Sequence, residues 1–88
     1  MIYPSPRQRA DQHAREALAD AMARYGHPGL HARFTPDGED RRILHLWTYE
    51  GGIRHYAKGW ISLRHATVAA ADITHFVRTQ AHHLQGPK

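Results

Sequence analysis

Two alternating stretches, Arg42 to Glu50 and Ile53 to Ile61, meet at Gly51-Gly52, and this junction constrains the fold more than any other part of the chain. Both stretches are rich in aromatic and branched residues, and both glycines can take the positive φ angles that a two-residue hairpin turn demands. The spacing predicts an antiparallel hairpin that pairs Glu50 with Ile53, Trp47 with Tyr56, His45 with Lys58 and Ile43 with Trp60. A four-residue loop keeps this register, whereas a three-residue loop shifts it by one. Cross-strand partners share a face, so two sets separate. Leu44, Leu46, Thr48, Ile53, His55, Ala57 and Ile61 form the side expected to be covered, joined by Leu30, Ala32 and Phe34 from a preceding strand. Ile43, His45, Trp47, Tyr49, Arg54, Tyr56, Lys58 and Trp60 form the other, joined by His31 and Arg33. The competing arrangement is an inverted sheet with the aromatic side inward.

Helical spacing flanks this region. Ser5 reads as an N-cap, Pro6 as the first helical residue and Gln8 as the residue that reaches back. Ala10, Ala14, Ala17, Leu18, Ala21, Met22 and Tyr25 then recur at three- and four-residue steps until Gly26, Pro28 and Gly29, which predicts a helix over 6–25. After the strands, Thr67 reads as a second N-cap. Val68, Ala69, Ile73, Phe76, Val77, Ala81 and Leu84 form the stripe of a helix ending before Gly86-Pro87, with Asp72 early and His82 and His83 late to suit its dipole. The turn residues Thr35-Pro36-Asp37-Gly38 separate the first two strands. The order is α-β-β-β-α: an α+β fold in two layers, a three-stranded antiparallel sheet with two helices packed on one face. Its 88 residues fit one domain, with an ordered core over about 5–85.

Charge and composition narrow the function. Twelve Lys and Arg against eight Asp and Glu leave +4, and nine His can add to it as pH falls. With no Cys, a disulfide, a thiolate metal site and a Cys nucleophile are all excluded, and a reducing compartment is the natural expectation. No apolar run approaches a membrane span and the first residues lack the apolar block of a signal peptide, so a soluble, cytoplasmic protein with no membrane partner is expected.

The aromatic side is the expected binding face: Arg33, His45, Trp47, Tyr49, Arg54, Tyr56, Lys58 and Trp60. Exposed aromatic patches usually mark contact surfaces. Rings flanked by cations can stack bases and neutralise phosphates, and Trp, Tyr and Arg are also enriched in protein–protein hot spots. A His-based nuclease would need a base, an acid and a cation on one phosphate, which His31, His45, Arg33 and Lys58 could offer from one face. One sheet face of a His-rich chain collects two His by chance, so no catalytic residue is assigned. Asp37, Glu39 and Asp40 read as solvated turn residues without the spacing of a metal loop. His27 with His31, and His75 with His82 and His83, lack ligand spacing, so neither metal nor cofactor is expected. The glycines form no phosphate loop and Ser5 and Ser62 no nucleophile elbow. His55, opposite Thr48 on the covered side, is expected to be held neutral by burial. Arg7 and Arg9 sit against the dipole of the first helix, on an exposed face or facing an anionic partner.

In element order the chain resembles double-stranded RNA-binding domains and the small RNase toxins that share their fold. It departs from the former at Thr67-Val68-Ala69-Ala70-Ala71-Asp72, where those domains carry lysines, and from the latter at Gly29-Leu30-His31, a poor match to their strand-starting glycine and histidine. In size, lack of Cys and lack of catalytic motif, with an aromatic and charged sheet face, it is similar to small phage-encoded inhibitors of bacterial defence, the anti-CRISPR proteins among them. That resemblance implies a non-enzymatic protein of the host cell cytoplasm that docks on a protein or nucleoprotein complex and blocks it sterically. A nucleic-acid-binding module is the alternative, an RNase toxin less favoured, and a homodimer through the same face is also open.

Overall fold

Five elements follow in the expected order: α1 (Pro6–Tyr25), β1 (His31–Pro36), β2 (Arg41–Glu50), β3 (Ile53–Ser62) and α2 (Ala66–His83). They are drawn from a computed structural model that describes residues 6–84. The Ser5 cap lies outside the described residues. The sheet order is β1-β2-β3, antiparallel throughout.

Gly51 and Gly52 adopt φ angles of 57° and 80°, the left-handed pair that a tight hairpin turn requires. The register is the expected one, with Glu50 opposite Ile53, Trp47 opposite Tyr56 and Ile43 opposite Trp60. β1 adds Ala32 opposite Leu46 and Phe34 opposite Leu44, so the apolar side continues across all three strands.

Both helices lie on that side. Leu44, Leu46, Ile73 and Val77 are the largest fully buried side chains, and Ala14 and Ala21 of α1, Leu30, Ile61, Leu63, Ala69, Ala81 and Leu84 complete the same cluster. Small residues on α1 let it approach α2 closely, and Arg78 of α2 lies 5.7 Å from the centre of the Tyr25 ring. The base of the sheet is tied to the connector into α2 by Leu63, whose amide donates to the Asp40 carbonyl at 2.6 Å. Beside it Arg42, with a side chain 12% exposed, pairs with Asp11 of α1 at 3.4 Å and donates to the Arg41 carbonyl at 2.8 Å.

Four expectations need correction. Ile53 and His55 face the covered side but are exposed, Ile53 by 64%. β1 begins at His31, opposite Trp47, so beyond Trp47 and Tyr56 the hairpin is a two-stranded ribbon, where the α1–β1 connection at Gly29 shields the buried Thr48 of β2 but leaves Ile53 and His55 of β3 uncovered. His55 therefore lacks the expected burial. Thr67 is not a cap: α2 starts at Ala66 after an extended His65, whose carbonyl accepts from the Ala69 amide, and no side chain caps the end. The buried, hydrogen-bonded Leu63 fixes where the connector stops and so starts the helix early. Asp72 in turn lies beyond the first turn of α2, out of reach of the dipole end, whereas His82 and His83 do sit in the last turn. Val68 of the α2 stripe is 52% exposed, while the acidic turn residues stay solvated as expected and also pair, Asp37 with Arg41 at 3.4 Å and Asp40 with Arg64 at 3.8 Å.

No helix among the described residues is long and apolar enough to cross a membrane.

Candidate functional site

The period-2 backbone of three strands delivers every expected face residue to the side away from the helices. Arg33, His45 and Lys58 are opposed across β1, β2 and β3 in one row, with His31, Trp47 and Tyr56 in the next and Tyr49 opposite Arg54 beyond. Trp60 lies toward the base, opposite Ile43. Tyr49 is 59% exposed, Trp60 56% and Tyr56 42%, while Trp47 is half-buried.

The rings are ordered by their neighbours. His31 stacks on Trp47 at 5.6 Å between ring centres with planes 22° apart, and Tyr49 meets His31 edge-on at 6.4 Å. Arg54 lies over Tyr56 at 5.1 Å and Lys58 over Trp60 at 5.5 Å. Each such cation–ring contact is worth about 0.5–1 kcal/mol at an exposed site and holds both side chains in place.

His45 is the hub. Its Nε2 is 2.7 Å from Thr35 Oγ1, and its Nδ1 is hydrogen-bonded to Tyr56 Oη. A neutral imidazole donates at one nitrogen and accepts at the other, and either hydroxyl can take either role. Burial, then the flanking charges of Arg33 and Lys58, hold the His45 pKa below its ordinary value. Thr35 was missed by the sequence reading, although the alternation through His31 and Arg33 reaches it at the next step.

Arg33, His45, Trp47, Tyr49, Arg54 and Tyr56 line a shallow depression of about 290 Å³. The strand positions on this face, from His31 to Thr35, Arg41 to Tyr49 and Arg54 to Ser62 in alternation, include no Asp or Glu. Among the residues whose side chains are described, Arg33, Arg54 and Lys58 make no ion pair with a carboxylate. The acids lie elsewhere, on α1, in the β1–β2 turn, at Glu50 where β2 ends opposite Ile53, and on α2. The face is therefore a one-signed surface rather than a mosaic, and its field favours anions.

A larger hollow of about 460 Å³ opens at the base, lined by Arg9, His13 and Arg64 together with Glu39 and Asp40. Its mixed charge selects neither sign of ligand. The other sequence candidates are scattered: His27 is in the α1–β1 connection, and His75, His82 and His83 are on α2. Among the described residues no group of three or more His, Asp or Glu could hold a metal ion.

Comparison with family models, with curated proteins and with solved structures finds no match for this chain.

Proposed function

We propose that the chain is a small non-enzymatic binding protein of the anti-CRISPR type, which docks its open sheet face on an acidic surface of a protein or nucleoprotein complex and blocks that complex sterically. The observation that carries this reading is the carboxylate-free face on which Arg33, Arg54 and Lys58 stand among Trp47, Tyr49, Tyr56 and Trp60. Rings already packed against cations or against His31 are preorganised, which lowers the ordering cost of association. Support for the non-enzymatic part comes from His45: both ring nitrogens are engaged by Thr35 and Tyr56 within the face, so neither can take a proton from a bound substrate without breaking one of those bonds.

Expression in bacterial strains carrying active CRISPR systems tests the proposal. The chain should restore transformation by a targeted plasmid in a susceptible strain, and Trp60→Ala with Lys58→Glu should abolish the rescue while the protein remains folded. Failure to restore transformation across the major system types would sink the inhibitor reading.

The one-signed charge of the face also supports the nucleic-acid alternative. Electrophoretic shifts with single- and double-stranded DNA and RNA separate the two. A shift that weakens steeply and linearly in log salt marks backbone binding, and its absence at micromolar protein removes that alternative.

A further inference from the structure

β3 ends the sheet, so one row of its backbone donors and acceptors has no neighbouring strand among the described residues. Such an edge is a template for another strand, and folded proteins usually guard it with cations, proline or a bulge. β1, at the opposite edge, is six residues long and ends in Pro36. β3 is ten residues long with no proline and no acid, and it carries Arg54 and Lys58. Whether those cations guard the edge or serve it depends on what they would meet.

The open-face positions of β3 read Arg54, Tyr56, Lys58, Trp60: cation, ring, cation, ring. Laid antiparallel on a second copy with Ala57 opposite Ala57, the strand sets Tyr56 against Lys58 of the second copy and Arg54 against Trp60 of the second copy. Every cation then faces a ring. The neighbouring registers that keep the faces aligned do worse. A two-fold axis at Tyr56 opposes Arg54 to Lys58, and one at Lys58 opposes Lys58 to itself; like charges directly opposite are destabilising.

The helix-bearing side selects the same register. The Phe76 ring of α2 lies on Gly59 and Ile61 is buried, whereas Ile53 and His55 are exposed. Helix cover thus reaches one half of β3 and leaves the other bare. An axis at Ala57 places the covered half of each copy beside the bare half of the other. The two α2 helices are staggered along the sheet, and the exposed Ile53 gains Ile61 of the second copy as its neighbour.

We infer that the chain assembles as a two-fold homodimer through the β3 edge, with Ala57 on the axis, forming a continuous six-stranded antiparallel sheet. The two open faces become one basic, aromatic surface. The dimer does not depend on the function proposed above and is measured without any partner.

Sedimentation equilibrium of the wild-type chain should give twice the 10.1 kDa chain mass; a monomer at hundreds of micromolar overturns the inference. The absence of native Cys makes a single introduced thiol a register marker. Directly opposed residues of an antiparallel pair have Cα atoms about 4.5–5.5 Å apart, within the roughly 4.4–6.8 Å reach of a disulfide. Ala57→Cys should oxidise to a covalent dimer. Ser62→Cys should not, because its two copies would stand about 30 Å apart along the strands; equal cross-linking of both variants overturns the register. If Ala57→Cys fails to fold, Tyr56→Lys carries the test. It opposes lysine to Lys58 and should weaken dimerisation at least tenfold at low salt, and adding Lys58→Tyr should restore it. An unchanged dissociation constant refutes the pairing.

Discussion

Gly59 of β3 lies directly beneath the ring of Phe76 of α2: a methyl group at residue 59 would come within 2.7 Å of Phe76 Cε2. No side chain fits between strand and helix there. This contact sets α2 close on the covered face of β3, opposite the face that carries Arg54, Tyr56, Lys58 and Trp60.

Gly59→Ala should therefore destabilise the fold by about 1–3 kcal/mol, the usual cost of overpacking. Phe76→Leu in the same chain should recover part of that loss, since residues in contact are not additive. Urea unfolding followed by circular dichroism measures both, and an unchanged midpoint for Gly59→Ala would place α2 elsewhere.

The exposed aromatics and the core should separate cleanly. Trp60→Ala is expected to change stability by less than about 1 kcal/mol while removing partner binding. Leu46→Ala, at a fully buried site, should cost about 2–5 kcal/mol. Unfolding of the Trp60 variant would mean that the aromatic face is itself core.

Neutral His45 contributes a pH-dependent part of the stability. Its pKa in the folded chain lies below the ordinary value of 6.5 because of burial and the charges of Arg33 and Lys58, so the unfolded chain takes up this proton first as pH falls. The contribution is fully present above about 6.5 and is lost as pH falls through the lowered folded value. Melting curves of wild type and His45→Gln between pH 7.5 and 5 should converge on acidification. Binding of an anionic partner has the opposite sign, since a protonated His45 adds charge to the face, and should tighten over the same interval. A wild-type advantage that grows on acidification would contradict the first expectation.

Two aspartates of α1 should respond differently to neutralisation. Asp20 pairs with Arg24 in the open, both side chains more than 60% exposed, and Asp20→Asn should cost no more than about 0.5 kcal/mol. Asp11 pairs with Arg42, whose side chain is 12% exposed. Asp11→Asn removes the charge that Arg42 and, at 3.1 Å, Arg15 both face, leaving only a neutral amide oxygen as acceptor, and should cost about 1–3 kcal/mol. Equal midpoints for the two variants would show that the Asp11–Arg42 pair does not hold α1 to the sheet.

Much of the site was legible in the residues because it depends on local rules. A strand repeats every two residues and Gly51-Gly52 admits few turns, so the pairing of Trp47 with Tyr56 and of His45 with Lys58 could be read before any coordinate. Thr35 is legible by the same alternation, but its neighbours Pro36, Asp37 and Gly38 carry turn chemistry that masks its place in the strand. His55 was misread because the alternation says which side a residue faces and nothing of how far the covering layer extends.

The sequence by itself determined the element order, the hairpin register and the membership of each sheet face, since φ limits and strand periodicity act over a few residues. The tertiary structure alone decided where helix cover stops on β3, how His45 is held between Thr35 and Tyr56, and that Arg42 finds Asp11. These depend on the lengths and placements of elements distant in the chain, which packing sets only when all of them are present.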